Sequence, residues 1–320
     1  MSIEPQKPAR HVLSGATMGT RYSATVLVDT TVDLPALETA LFAAVDLVDR
    51  QMSTWKPESD LMRINRAEVG AWVAMPPELA QVIKTALEIG RASGGAFDIA
   101  VGGIVEAWGF GASSGTPDSA AISALLGTPP PAAHEALVLA KDGRSICKRT
   151  PVTLDLSGIA KGFAVDQMIA CLQRFGIKNA LAALDGELRS IGSEEDGGPW
   201  SIAIEKPDYE ARAAMGVLEL REQAIATSGD YRHWVDVGTT RLSHTMDRRA
   251  GGPTRSPIAS ISVVAATCME ADAWATALLV KGKEGGPALA EAQNLSALFI
   301  FRENDKLLDL GIGPLFSAPI

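Results

Sequence analysis

The sequence predicts an α+β fold with largely antiparallel sheets, on three observations. Two amphipathic helices come early, ahead of most strand signals. Short strands then crowd residues 136–227, separated by turn residues. A single helix interrupts them, so the order is that of hairpins mixed with helices rather than alternating βαβ units.

Taken in order, the first fifteen residues, with Pro5 and Pro8, read as a flexible arm (1–15) before one domain over 16–320. Arg21–Val28 is rich in β-branched residues and reads as a strand. Pro35 opens a helix that places Leu37, Leu41, Val45, Val48 and Met52 on one face. A second helix spans Pro77 to Ser93, with Leu79, Val82, Ile83, Ala86 and Ile89 inward, and Gly94-Gly95 stops it. Residues 111–133, rich in Gly, Ser, Pro and Ala, are expected to loop around one short helix. Strands follow at Ala136–Ala140, Val152–Leu154, Ala180–Leu184, Ser201–Glu205, Gly216–Leu220 and Ala224–Thr227, with a helix over Lys161–Phe175 among them. A strand over Ser260–Ala266, a helix over Met269–Lys281 and a strand over Ser296–Phe301 complete the order.

Composition excludes several classes. The net charge is −9 without a basic cluster, which argues against nucleic acid as partner. Cys147, Cys171 and Cys268 are odd in number and far apart, which fits neither a zinc site nor a disulfide framework. No apolar run is long enough to span a bilayer. The polar, Pro-bearing N-terminus is not a signal peptide. Two addresses stay open, the cytoplasm or an exported form without its signal.

The richest segment is Thr153-Leu-Asp-Leu-Ser-Gly-Ile-Ala-Lys-Gly162. A strand ends in Asp155, a turn follows at Ser157-Gly158, and Lys161 and Gly162 open a helix. A carboxylate, free backbone groups and an ammonium thus meet within one turn, which suits a phosphorylated ligand and a hard metal ion. Asp272 and Thr276 lie four apart in a helical segment, so their Cβ atoms are roughly 5–6 Å apart on one face. Both offer oxygen, the ligand type of Mg²⁺, although an aspartate near a helix start also serves as a cap. Between these segments lie Thr227-Ser228-Gly229-Asp230 and His244. His244 sits among Ser243, Asp247, Arg248 and Arg249, just before Gly251-Gly252-Pro253. His11, His134 and His233 have no comparable setting and read as structural. Ser228 with His244 does not make a serine hydrolase, because no nucleophile elbow precedes a helix. Gly109-Phe110-Gly111 lacks the third glycine of a dinucleotide fingerprint.

Together these segments resemble the ApbE family of Mg²⁺-dependent FAD:protein FMN transferases, and within it NosX-like members. The resemblance rests on an ordered set: Met18-Gly19-Thr20; Met52-Ser53-Thr54-Trp55 leading to Ser59-Asp60-Leu61; Gly94-Gly95-Ala96-Phe97-Asp98; Asp155 to Gly162; Thr227 to Asp230; Ser243-His244 to Gly251; and Glu270 to Thr276. It implies transfer of FMN from FAD to a Thr or Ser hydroxyl of an acceptor flavoprotein, with AMP leaving. It implies Mg²⁺ held by the Gly158 carbonyl, Asp272 and Thr276, the last through hydroxyl or carbonyl. The implied FAD contacts are Met18, Trp55, Ala96, Phe97, Asp98, Asp155, Lys161 and the backbone near Thr245 and Met246. Trp55 would stack on a ring, Asp98 and Asp155 would accept hydrogen bonds, and Lys161 would pair with a phosphate. His244 and Asp272 are the candidate catalytic residues, with His244 preferred as base. The resemblance also implies a periplasmic address. Two alternatives share the site: an FAD pyrophosphatase, which yields FMN and AMP, and a non-catalytic FAD-binding assembly factor of a respiratory complex.

Two departures stand out. The family often has Asp-Pro-x-Thr-Gly after the histidine, where this chain has Asp247-Arg248-Arg249-Ala250-Gly251. Loss of the Pro and Thr is expected to loosen that loop or alter acceptor recognition. A paired glycine is usual near 184–187, where this chain reads Leu184-Asp185-Gly186-Glu187.

Overall fold

A computed structural model describes residues 8–29, 31–112, 116–231, 234–237, 240–304 and 306–316. Its frame is an eight-stranded sheet of β1 (Ala9–Thr17), β2 (Thr20–Val28), β3 (Asn179–Leu184), β4 (Glu187–Ile191), β5 (Ala224–Gly229), β6 (Ile258–Ala265), β7 (Ser296–Glu303) and β8 (Lys306–Ile312). Spatial order equals chain order, and every neighbouring pair is antiparallel. The expected α+β class with antiparallel sheets is what the chain forms.

Four long helices are inserted between strands: α1 (Leu34–Met52), α2 (Pro77–Ala92), α3 (Ala160–Arg174) and α4 (Cys268–Ala292). Asp33 caps α1 by accepting from Ala36 N at 3.0 Å, and Leu37, Leu41, Val45, Val48 and Met52 are buried as their spacing predicts. α3 and α4 pack against each other and cover one face of the sheet, where Phe163, Met168, Leu278, Val263 and Phe299 belong to one apolar core. The helix expected over Met269–Lys281 is the first arm of α4, which breaks at Gly282 (φ 78°). The other sheet face packs on the hairpin Trp200–Glu205/Ala214–Leu220 through Trp200, Leu220, Ile225 and Val264.

Three expectations are corrected. The arm expected over residues 1–15 becomes β1 from Ala9, paired from Ala9↔Val28 to Thr17↔Thr20; residues 1–7 lie outside the described residues. Its half-exposed edge position leaves little hydrophobic signal, and pairing to β2 supplies what propensity does not. Val152–Leu154 joins no sheet. The Asn65 side chain replaces the missing neighbour: Nδ2 donates to Leu154 O at 2.9 Å and Oδ1 accepts from Leu154 N at 2.8 Å. The neighbouring strand is Ser145–Lys148 instead, between Trp72–Ala74 and Leu137–Leu139. The segment read as a strand from Ala136 begins with a helical turn, Ala133–Ala136, before that Leu137–Leu139 strand. The short helix expected within 111–133 is Ser119–Gly127, capped by Asp118. No described helix is long and apolar enough to cross a membrane.

Candidate active site

Asp155 lies just before α3. It is buried, its amide donates to Ile99 O at 2.9 Å, and its carboxylate accepts from Ser157 N at 2.7 Å. That bond bends the chain into the Ser157-Gly158 turn. Burial, with a smaller contribution from Glu106, pushes the Asp155 carboxyl upward against that hydrogen bond.

The turn faces α4. A Cβ on Gly158 would stand 3.0 Å from Thr276 Oγ1 and 3.4 Å from the Phe97 ring, so a side chain here would press on the hydroxyl and ask Thr276 to shift. Ser228 Oγ on β5 lies 3.3 Å from the same hydroxyl. One helical turn earlier, Gly162 N donates to Asp272 Oδ2 at 3.0 Å. A Cβ on Gly162 would approach Cys268 O to 2.3 Å, so α3 and α4 are in backbone contact there. Asp166, one turn further along α3, accepts from Cys268 N and Met269 N at 2.9 Å each and is itself paired with Arg189 at 2.5 Å. Thr267 caps α4 on its own side, with Oγ1 accepting from Glu270 N and donating to Glu270 Oε2 at 2.8 Å. The two helix starts are thereby fixed to one another.

Asp272 is 4% exposed. Burial first, then Glu187, pushes its carboxyl up to about 7, against the opposing pull of Lys161 and the Gly162 amide. Among the described residues no cluster of His, Cys, Asp and Glu side chains could hold a metal. The oxygens that the turn and the start of α4 offer are the Asp272 carboxylate, the Thr276 hydroxyl and the turn carbonyls, all hard donors. They fit Mg²⁺ completed by waters or phosphate oxygens, and do not fit zinc.

Lys161, expected to meet a phosphate, is gripped by two carboxylates: Asp185 Oδ2 at 3.1 Å and Glu187 Oε1 at 3.0 Å. Burial pulls its ammonium down, but Glu187, Asp272 and Asp185 outweigh this and hold it above the usual lysine range. Asp185 and Gly186 form the two-residue turn between β3 and β4, with Asp185 at φ 61°. The departure from paired glycine therefore does fall at a left-handed position. Thr20 Oγ1 reaches Asp185 Oδ1 at 3.4 Å, which puts the β1–β2 turn, with Met18 (φ 47°), at the same end of the sheet.

The segment after α2 forms another wall. Phe97 is buried, and its amide donates to Ser93 Oγ at 3.1 Å. Ala96 is half-buried. Asp98 accepts from Ala100 N at 2.9 Å, from Ala133 N at 3.1 Å, and from Arg248 Nε at 2.8 Å. His244, half-buried, precedes a small hairpin in which Met246 pairs with Pro253 and Asp247 with Gly252. Thr245 N donates to Ser243 Oγ at 3.2 Å, and Thr254 N donates to Thr245 O at 2.8 Å. The loop expected to be loosened is fastened at its arginines. Arg248 bonds Asp98 and Pro130 O, and Arg249 donates to Gly94 O. Trp55 is 66% exposed, an aromatic face turned to solvent. His233 lies outside the described residues; His11 sits on β1 and His134 in a short helix.

Most expected site residues thus gather at the starts of α3 and α4 and on the two walls beside them. Glu187 and Asp166 escape sequence reasoning. The only signal for Glu187 is the unusual 184–187 turn, and Asp166 has the pattern of any polar helix residue. A cavity of about 400 Å³ lies on the opposite sheet face, between Leu188, Ile225 and Thr227 and the hairpin residue Ile202, and no expected site residue lines it.

A sequence model described as the ApbE family matches residues 18–299. The chain is 36% identical over 307 residues to the FAD:protein FMN transferase of Vibrio cholerae, covering 94% of this chain and 90% of the relative. It is 33% identical over 309 residues to the protein of that name from Klebsiella pneumoniae, covering 94% and 87%. Among solved structures, the flavin transferase ApbE from Vibrio cholerae superposes with TM-score 0.86 at 33% identity, covering 97% of this chain and 99% of that one. The apo form of Pseudomonas stutzeri flavinyl transferase ApbE gives TM-score 0.87 at 30% identity, covering 99% and 100%.

Proposed function

The chain belongs to the ApbE family, and from that premise we propose that it transfers FMN from FAD to a Thr or Ser hydroxyl of an acceptor flavoprotein, releasing AMP. The observation that carries this reading is the meeting of the Asp155–Gly162 turn with Asp272 and Thr276, through the Gly162–Asp272 bond and the Gly158–Thr276 contact.

In the proposed reaction the acceptor hydroxyl oxygen forms a bond to the FMN phosphorus, and the bond from that phosphorus to the AMP oxygen breaks. His244 takes the hydroxyl proton, and AMP leaves with the pyrophosphate bridging oxygen. The Gly158 carbonyl, Asp272 and Thr276 would hold Mg²⁺, which supplies positive charge to offset the phosphate oxygens. Asp272 enters that role as a carboxylate already oriented by the Gly162 amide. Lys161 adds a cation at the turn, shared with Asp185 and Glu187. The exposed ring of Trp55 offers a stacking face for a flavin or adenine ring. Phe97 and Met246 are buried in the walls beside the turn, which would limit the water that reaches the phosphorus.

The test is co-expression with candidate acceptor flavoproteins, followed by mass spectrometry of the fluorescent acceptor band. An FMN phosphoester on a Thr or Ser, absent without Mg²⁺, is expected. FAD bound by the protein with no modified acceptor, or free FMN and AMP released at a rate indifferent to acceptor, would overturn transfer in favour of hydrolysis or carriage.

A further inference from the structure

We propose that Arg248 is a latch that ties the two walls of the flavin site together, acting through Asp98. It is a positioning residue for bound FAD. The proposal rests on the functional reading above, because that reading assigns FAD contacts to both walls.

The geometry is specific. Arg248 Nε reaches Asp98 Oδ2 at 2.8 Å, and its Nη1 donates to Pro130 O at 2.7 Å. The side chains are 12% and 2% exposed. Arg249 adds a bond to Gly94 O, and its own amide donates to Asp247 Oδ1 at 2.8 Å. The 243–253 hairpin is therefore anchored to residues 94–98 by both arginines, in addition to the bond from Trp108 Nε1 to Gly251 O at 3.0 Å.

Asp98 explains why the tie is strong. Its carboxylate already accepts two amides, from Ala100 and Ala133. It is buried, so Arg248 is the cation that balances it. Removing one member of such a pair leaves an uncompensated buried charge. Asp98 thus works behind the ligand, holding the loop, rather than as a free acceptor facing it. In the pattern the chain otherwise resembles, a proline stands where Arg248 is, and a proline side chain cannot donate to Asp98. The residue expected to loosen the loop is the one that secures it.

The experiment uses the full chain, FAD and Mg²⁺, with R248A, R248K and the double variant R248A/D98N. Two readouts are taken: the FAD dissociation rate by flavin fluorescence, and hydrogen exchange of peptides covering 243–253, 94–98 and the main sheet. R248A is expected to speed FAD release roughly tenfold and to speed exchange in 243–253 and 94–98 alone. R248K, which keeps a cation for Asp98, is expected to recover most of both. The double variant is expected to be no worse than R248A, since the pair acts as one unit. Dissociation and loop exchange within about twofold of wild type, or exchange raised uniformly across the sheet, would overturn the latch. Should R248A not fold, R248K and R248Q are compared on the same scale. Loop exchange needs no flavin, so the two readings fail separately. A wild type that binds no FAD while R248A still frees the loop sinks the flavin reading and keeps the latch. Normal transfer by wild type with unchanged loop exchange in R248A does the reverse.

Discussion

Lys161 Nζ lies 3.1 Å from Asp185 Oδ2, and Asp185 holds that position at φ 61°. The aspartate therefore accepts a backbone conformation that glycine would take more readily, and it places a carboxylate on the cation that should meet a phosphate. Asp185 and Arg248, the two departures from the family pattern, both add a charge beside an expected site residue of opposite sign.

D185G is expected to relieve about 1 kcal/mol of backbone cost, to keep the fold, and to tighten FAD binding a few-fold by leaving Lys161 paired with Glu187 alone. D185N separates the two effects, since asparagine tolerates the left-handed region but carries no charge. Flavin fluorescence titration and thermal melts of the three proteins decide it. Weaker FAD binding in both variants would mean that Asp185 orients Lys161 usefully.

D272N is expected to abolish Mg²⁺-dependent transfer, by at least about 100-fold, while the metal-free protein stays folded. The loss follows from removing the only carboxylate in the proposed donor set. Transfer that survives D272N at saturating Mg²⁺ would remove Asp272 from that set.

The raised Asp272 carboxyl has a definite sign in pH dependence. Its folded value of about 7 lies above the unfolded value of 3.8. Its stabilising contribution is therefore complete below the unfolded value and lost as pH rises through about 7. Melts of metal-free protein between pH 5.5 and 8 are expected to fall with pH, and D272N is expected to flatten that slope. Mg²⁺ binding should run the other way, weakening about tenfold per pH unit well below 7 as protons compete for the carboxylate.

G162A is expected to cost about 2–3 kcal/mol in denaturant unfolding, because its Cβ would push into the carbonyl of Cys268 and part α3 from α4. Transfer should fall with it, since Asp272 is seated by the same amide. An unfolding midpoint equal to wild type would show that the helices can separate freely.

W55A is expected to leave stability within about 0.5 kcal/mol, because the ring is exposed, yet to weaken FAD binding roughly tenfold by removing a stacking face. Unchanged FAD affinity would return Trp55 to the status of an ordinary surface residue.

Helices are readable where apolar spacing is long and capped, as in α1 and in the first arm of α4. β1 alternates in exposure, but its half-buried face carries His11, Leu13, Gly15 and Thr17; β8 is largely exposed and β4 begins Glu187-Leu188-Arg189, so none gives a clean apolar alternation in sequence. Val152–Leu154 has strand composition, but its partner is the Asn65 side chain, 89 residues earlier, which no local pattern reveals. The site follows the same rule. Gly158, Asp272 and Thr276 are legible as an ordered set. The Arg248–Asp98 pair spans 150 residues and is visible only as a break in a familiar loop.

The bond from the Gly162 amide to Asp272 crosses 110 residues. A chain emerging from the ribosome can complete β1 to β5 and α3 and still lack both Asp272 and Thr276. The proposed donor set is complete only once α4 has been synthesised and docked, so partly made chains are expected to carry out no FMN transfer.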